Sequence, residues 1–268
     1  MAHLVLVPTP IGNLEDITLR ALRTLREADV IAAEDTRHSR TLLNHFEIDK
    51  PLVRLDAHTI PARGEGVLAE HERVAFITDA GTPGLSDPGA DLLKIALKRG
   101  DTVEVLPGPT ALVPALVLSG LPLGSFSFLG FLPRKGKARR EALSQIAESE
   151  TTLALYESPK RLVATLGDLR EVCGDARQVS VSRELSKRFE TTYRGSLEEV
   201  HAQLSQGEVR GEIVVVVSPN PRPAQETDFA AKARELAAEG LSGRDLRKAL
   251  VAFGAPRNLA YELSLGAE

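Results

Sequence analysis

The sequence predicts an α/β protein: two α/β domains over residues 1–119 and 120–221, then a small helical C-terminal domain over 222–268. Three observations carry that reading. Short apolar runs alternate with helical patterns through the first 119 residues, the order that builds a parallel, helix-covered sheet. Ser119-Gly120-Leu121-Pro122-Leu123-Gly124 interrupts the alternation like a hinge, and the alternation restarts beyond it. Ser218-Pro219-Asn220-Pro221-Arg222-Pro223 reads as a stiff linker ahead of a tail of short amphipathic helices.

In chain order, Leu4-Val5-Leu6-Val7 is a first buried strand that runs into the rigid turn Pro8-Thr9-Pro10-Ile11-Gly12-Asn13. Asp16 or Thr18 can cap a helix in which Leu19, Leu22 and Leu25 recur at every third position. Val30-Ile31-Ala32-Ala33 returns as a second strand and ends in Glu34-Asp35-Thr36-Arg37. Asp35 or Thr36 suits a helix N-cap there, and the two carboxylates and the guanidinium equally suit a substrate role. Leu52-Val53-Arg54-Leu55 is a third strand with His58 just beyond, and Val74-Ala75-Phe76-Ile77 a fourth. A helix from near Ala90 carries Leu92, Leu93, Ile95 and Ala96 to Gly100, followed by a strand over 102–106. Pro107-Gly108-Pro109-Thr110-Ala111 then opens an apolar helix through Leu112, Val113, Leu116 and Val117. The free N–H groups at its start can receive a carboxylate or a ribose hydroxyl.

The second domain reads as strand 126–132, a charged helix to about Ser149, strand 152–156, helix 160–172, strand 178–182, a hairpin-like strand 192–195, helix 197–204 and strand 213–217. Ile213-Val214-Val215-Val216-Val217 is wholly β-branched and belongs at the centre of a sheet. In the tail, helices are expected over 230–238, after Ser242 and over 258–263. Leu246, Ala249, Leu250 and Phe253 fall at core spacing in the middle one, which Gly254 stops. The three suit a small packed bundle better than a DNA-reading helix-turn-helix.

Composition narrows the function. A formal net charge of −4 argues against indiscriminate binding to nucleic acid but permits a local basic patch. Cys173 is the single cysteine, which excludes an internal disulfide and a Cys-rich zinc site. With no signal peptide and no run of about 18 apolar residues, a cytoplasmic protein without membrane contact is expected. His3, His38, His45, His58, His71 and His201 show no HExxH spacing, and no resident metal is expected.

The stretch Thr78-Asp79-Ala80-Gly81-Thr82-Pro83-Gly84-Leu85-Ser86-Asp87-Pro88-Gly89 follows a strand and precedes a helix, where α/β sheets bind ligands. Its glycines leave backbone groups bare, its prolines stiffen it, and Asp79, Ser86 and Asp87 supply polar ends; an ordinary strand-to-helix turn is the alternative. Together with the turns near 8–13 and 107–111 it can converge on one crevice. No GxGxxG, P-loop or GxSxG is present. Arg134, Lys135, Lys137, Arg139 and Arg140 crowd beside Phe126, Phe128 and Phe131, which suits a phosphate backbone or, equally, a solvated helix start. Arg183-Glu184-Leu185-Ser186-Lys187-Arg188 is a second charged cluster after a strand.

The ordered motifs resemble a family. Pro8-Thr9-Pro10-Ile11-Gly12-Asn13-Leu14 with Asp16-Ile17-Thr18, Glu34-Asp35-Thr36-Arg37, Asp79-Ala80-Gly81-Thr82-Pro83 with Ser86-Asp87-Pro88-Gly89, Leu106-Pro107-Gly108-Pro109, Gly130-Phe131-Leu132-Pro133-Arg134, Tyr156-Glu157-Ser158-Pro159 and Arg183-Glu184-Leu185 are similar to those of the ribosomal RNA small-subunit (cytidine-2′-O)-methyltransferases, within the tetrapyrrole methylase superfamily. The resemblance spans roughly residues 4–217, and the tail is similar to that family's small helical domain.

The resemblance implies two α/β domains of tetrapyrrole-methylase type with S-adenosylmethionine in the cleft between them. It also implies homodimers and methyl transfer to the ribose 2′-OH of a cytidine in the decoding region of 16S RNA or the 30S particle. Pro8, Ile11 and Gly12 would form the floor of the cofactor site, with Asp79, Gly81 and Leu85 lining it. Thr110 and Ala111 would receive the methionine end or the ribose, Tyr156 would lie against the cofactor, and Gly211, Glu212 and Ile213 would close the adenine side. Thr110 stands where the family often has Ser, keeping the hydroxyl, and Thr191-Thr192 where an acidic residue is common. Glu34, Asp35, Arg37, Glu184 and Lys187 are the candidates for a base or an alkoxide-stabilising cation, and the sequence does not choose among them. A tetrapyrrole C-methyltransferase of the same fold and a non-catalytic RNA-binding adaptor are the competing readings.

Overall fold

Strand β1 (His3–Leu6) is apolar after His3 because both of its faces are covered: Leu4 and Leu6 enter one core, Val5 and the following Val7 the other. The same alternation runs through β2 (Val30–Ala33) and β4 (Arg73–Ile77). With β3 (Leu52–Arg54) and β5 (Thr102–Val105) they form a five-stranded, wholly parallel sheet of order β3-β2-β4-β1-β5. The computed structural model describes residues 1–220, 229–253 and 255–265.

Helices α1 (Leu19–Glu27) and α2 (Thr36–His45) bury Ala21, Leu25 and Leu43 against one face. Helices α3 (Ile60–Glu70) and α4 (Gly89–Arg99) bury Ile60, Val67, Leu68, Leu92 and Ala96 against the other. Thr18 caps α1, its hydroxyl accepting from the Ala21 N–H at 3.0 Å. Leu19 does not join the core and is 86% exposed. At 3.6 residues per turn a spacing of three slips backwards around the helix, so two such steps carry Leu19 off the face that Leu25 buries.

Helix α5 (Leu112–Ser119) follows β5 in sequence but packs on the second sheet, where Leu112, Ala115 and Leu116 meet Ala154, Val214 and Val216. That sheet comprises β6 (Phe126–Phe131), β7 (Thr152–Glu157), β8 (Gln178–Arg183), β9 (Thr191–Ser196) and β10 (Ile213–Val217). Its order is β6-β7-β10-β8-β9, with β6 and β7 parallel and the other pairs antiparallel. The valine-rich β10 is central and buried at every position, as its composition requires. Helices α6 (Gly136–Glu148), α7 (Pro159–Cys173) and α8 (Leu197–Leu204) cover the face opposite α5. Both sheets belong to one compact unit, Met1–Asn220.

The expected linker starts as fixed structure. The buried Arg177 guanidinium donates to the Ser218 carbonyl at 2.9 Å and the Asn220 side chain at 3.1 Å, while Pro221, Arg222 and Pro223 lie outside the described residues. The second unit, Pro221–Glu268, contains α9 (Phe229–Ala238), α10 (Gly243–Ala252) and α11 (Arg257–Leu265) around Ala233, Leu236, Leu246, Leu250 and Ala260. Ser242 stands at the N-cap of α10 without a side-chain capping bond, and Gly254 lies outside the described residues. Phe253, expected in the core, is 55% exposed and lies under the Lys232 ammonium at 4.7 Å.

Candidate active site

Strand order decides which loops meet. β1 lies between β4 and β5, so the turns after these three parallel strands leave the same edge of the sheet side by side. They are fastened to one another. Thr9 and Gly81 exchange two backbone hydrogen bonds, of 3.0 and 2.9 Å, and the Thr82 hydroxyl donates to the Pro109 carbonyl at 2.9 Å. Gly108 lies so close to Pro8 that a Cβ there would fall 2.6 Å from the proline ring. Within the longest loop, the Asp87 carboxylate accepts from the N–H groups of Gly84, Leu85 and Gly89 at 2.8, 3.2 and 2.7 Å. Asp87 thereby holds Ser86 in a left-handed conformation, φ 67°.

The second sheet closes the crevice from the other side. The result is a cleft of about 420 Å³ between the two sheets. Ile11, Asp79, Gly81, Leu85, Thr110, Ala111, Tyr156, Gly211, Glu212 and Ile213 line it, so most of the residues expected at a cofactor come together. Pro8 does not reach the cleft and lies beneath Gly108. Gly12 lines an adjoining chamber of about 480 Å³, its missing side chain leaving room for the methylenes of Lys187. Ser86 and Asp87, read in sequence as polar ends of the ligand loop, line the cleft; Thr78, Phe131, Glu157, Ser158 and Leu185, given no role by sequence reasoning, line it too, and the signal for each was its place inside a quoted motif.

The candidate catalytic groups separate. Glu34 lines the cleft, and burial, followed by the charges of Asp79 and Asp87, pushes its carboxyl above the ordinary range. A group raised in this way contributes stability below the ordinary glutamate range and loses it as pH rises through its own higher value. Glu34→Gln is therefore expected to gain stability relative to the parent at neutral pH and not at pH 4, measurable by thermal unfolding at both. Asp35 instead caps α2, accepting from the Arg37 N–H at 2.8 Å, and that backbone bond lowers its pKa. Arg37 is 92% exposed and meets Asp35 at 3.6 Å; neither residue lines the cleft or the adjoining chamber.

Glu184, Lys187 and Glu212, just after β8 and just before β10 of the second sheet, form a charged array. The Lys187 ammonium donates to Glu184 at 2.9 Å and Glu212 at 3.0 Å, and the Glu184 carboxylate also accepts the Glu212 N–H at 3.0 Å. Burial works against Lys187 and Glu184 alike, yet these bonds prevail: Lys187 is raised and Glu184 lowered, so both are ionised at neutral pH. Glu184 and Ser186 are left-handed, φ 54° and 66°, and Gly211, φ 91°, leaves the space that the Glu184 carboxylate fills. Tyr156 is raised by burial, with Thr110 pulling its hydroxyl partly back. Thr78, at the cleft wall, carries a buried hydroxyl without a hydrogen-bond partner.

The basic segment divides as well. Arg134, Lys135, Lys137 and Arg140 are exposed, Lys137 lying 3.4 Å from Glu141. Arg139 turns inward, donating to Asp168 at 2.6 Å, Thr165 at 3.1 Å and the Pro133 carbonyl at 3.1 Å. Its guanidinium is consumed by the fold and is not offered to a phosphate. Among the described residues no helix is long and apolar enough to cross a membrane, and no group of three or more His, Cys, Asp or Glu could hold a metal ion.

Comparison with known proteins agrees with this fold. The profile of the tetrapyrrole (corrin/porphyrin) methylases matches residues 3–201. A ribosomal RNA small subunit methyltransferase I of Halalkalibacterium halodurans is 48% identical over 81% of this chain and 76% of its own. One from Synechocystis is 41% identical over 100% of this chain and 99% of its own. The fold is that of Thermus thermophilus uroporphyrin-III C-methyl transferase, solved with S-adenosyl homocysteine: TM-score 0.57, 24% identity, 81% of this chain and 97% of that one. The chain belongs to the tetrapyrrole methylase family, in the branch of the ribosomal RNA small subunit methyltransferases I.

Proposed function

We propose that this protein transfers the methyl group of S-adenosylmethionine to the ribose 2′-OH of a cytidine in the decoding region of small-subunit ribosomal RNA. The observation that carries the reading is the convergence of the turns after β1, β4 and β5 on one cleft, in a chain of this family. When bound, the cofactor supplies a sulfonium methyl that the acceptor oxygen takes as its hydroxyl proton leaves.

The residues present fit that cofactor. A volume of about 420 Å³ is in the range of small-molecule sites, and Ile11, Leu85, Ala111, Ile213 and Val214 offer an apolar seat for the adenine. Asp79 brings a carboxylate to a cationic ligand, and the unpartnered Thr78 hydroxyl offers a buried polar group to it. Holding donor and acceptor in line is the main task, worth about 7–11 kcal/mol at most. Lys187, kept charged by Glu184 and Glu212, suits stabilisation of an alkoxide rather than proton removal. Glu34, raised and at the cleft, is the carboxylate best suited to receive the proton.

Exposed Arg134, Lys135, Lys137 and Arg140 suit contact with the RNA backbone. Arg134→Ala with Lys137→Ala is expected to weaken binding to small-subunit particles and to lower the slope of log affinity against log salt by about 2, with cofactor affinity unchanged, as filter binding and calorimetry would record. Val113 and Val117, exposed one turn apart on α5, support a homodimer. The substrate places the protein with ribosomes in the cytoplasm. Tetrapyrrole methylation is not favoured, since identity falls from 41–48% with the ribosomal RNA enzymes to 24% with the uroporphyrin enzyme. Tritium transfer from labelled cofactor to small-subunit particles, naked RNA and a porphyrin precursor tests the reading: label in the porphyrin, or in none of the three, overturns it.

A further inference from the structure

The chamber of about 480 Å³ beside the cleft shares Ile11, Asp79, Ala80 and Glu212 with it, so the two are neighbours across one wall. The far wall is helix α2, which contributes His38, Thr41, Leu42 and His45, spaced i, i+3, i+4 and i+7 along one face. That face is not needed to hold the helix in place: α2 is anchored by Leu43 and Ser39, both buried, while His38, Thr41 and His45 are exposed. No acidic residue lies between Thr36 and His45, and Arg37 and Arg40 stand exposed on the same helix. The Lys187 ammonium, paired with Glu184 and Glu212, stands on the chamber wall.

An open chamber with imidazoles, a hydroxyl, the Asp79 and Glu212 carboxylates and a lysine offers hydrogen-bonding partners to a base, while the positive charge for its phosphates lies outside the chamber on Arg37 and Arg40. RNA is read at unstacked nucleotides, whose bases stack on side chains such as histidine and present their edges to hydrogen bonds. We infer that the chamber seats the acceptor nucleotide, splayed out of its stack, with His38, Thr41 and His45 against its base and Arg37 and Arg40 on the neighbouring phosphates. This rests on the methyl-transfer reading, because the wall shared with the cleft is where the acceptor hydroxyl would have to arrive. α2 is then a second RNA-contacting element, separate from the segment 134–140.

The test uses the full chain and reconstituted small-subunit particles. His38→Ala with His45→Ala is expected to lower kcat/KM for methyl transfer at least tenfold and to erode the preference for cytidine over uridine at the target position. Arg37→Ala with Arg40→Ala is expected to raise KM for the particle with kcat retained and to reduce the salt slope by about 2. Calorimetric affinity for S-adenosylmethionine, measured on both variants, should match the parent and reports that each is folded; His38→Gln with His45→Gln replaces the histidine pair if the alanine pair fails that control. Particles methylated by both variants at parental kcat/KM, with parental base preference, overturn the inference alone. Absence of transfer by the parent protein overturns the methyl-transfer reading and the inference with it.

Discussion

Asp79→Ala is expected to lower the affinity for S-adenosylmethionine by at least a hundredfold, about 2.7 kcal/mol, in calorimetry on the otherwise intact chain. Asp79 lines both the cleft and the adjoining chamber, on a loop bonded to the turn after β1 and the turn after β5. A carboxylate bonded to a charged ligand group in such a place is among the stronger single contacts a protein makes. The side chain is exposed and is not one of the groups that bind the loop together; Asp87 has that role. The fold should therefore survive the change. A second readout is independent of the cofactor: Asp79 is the foremost charge, after burial, that raises Glu34, so the Glu34 carboxyl should titrate lower in the variant by NMR. Unchanged affinity would remove Asp79 from the donor site.

Lys187→Met should reduce methyl transfer by about 10²–10³-fold while leaving cofactor affinity within a few-fold of the parent, the range seen when a charge-stabilising donor is deleted from an active site. The ammonium lies between Glu184 and Glu212, and Glu212 faces both chambers. Removing the cation loses the positive charge and leaves the Glu184 and Glu212 carboxylates without their shared counter-ion, Glu184 keeping only the Glu212 N–H. Stability gives a second check. Glu184 is lowered despite its burial, so its contribution is present above the ordinary glutamate range and is lost as pH falls through its own lower value. Lys187 is raised, so its contribution is present below the ordinary lysine range and is lost only above its higher value. The variant should thus be less stable than the parent across neutral pH, with the gap closing in acid. Equal loss of cofactor binding and of transfer would instead place Lys187 in the donor cleft.

Much of this site could be read before any fold was known. The Pro/Gly-rich turns after the first, fourth and fifth strands stood out because such composition resists regular structure, and Ile11, Asp79, Gly81, Leu85, Thr110 and Ala111 from them meet in one cleft. Asp35 reads in sequence as a helix cap that leaves a substrate role open, and the Arg37 N–H bond bears out the cap. Arg139 was indistinguishable from its basic neighbours in sequence, because only the packing of α7 beside α6 brings Asp168 and Thr165 within its reach. The histidine face of α2 was passed over, since a helical spacing of polar residues has no meaning until the chamber it borders exists.

The sequence alone determined most of the elements, α3 (Ile60–Glu70) not among those read from it: β-branched runs made strands, capping residues and glycines bounded helices, and the valine-rich Ile213–Val217 was bound for the middle of a sheet. These are choices made over a few residues, where propensity and period act. Only the tertiary structure decided partnerships. Placing β1 between β4 and β5 joined Thr9 to Gly81, and packing α5 on the second sheet closed the cleft beside them. It also left Leu19 in solvent and drew Arg139 inward. Burial is shared between surfaces far apart in the chain, so no local pattern can specify which of them will meet.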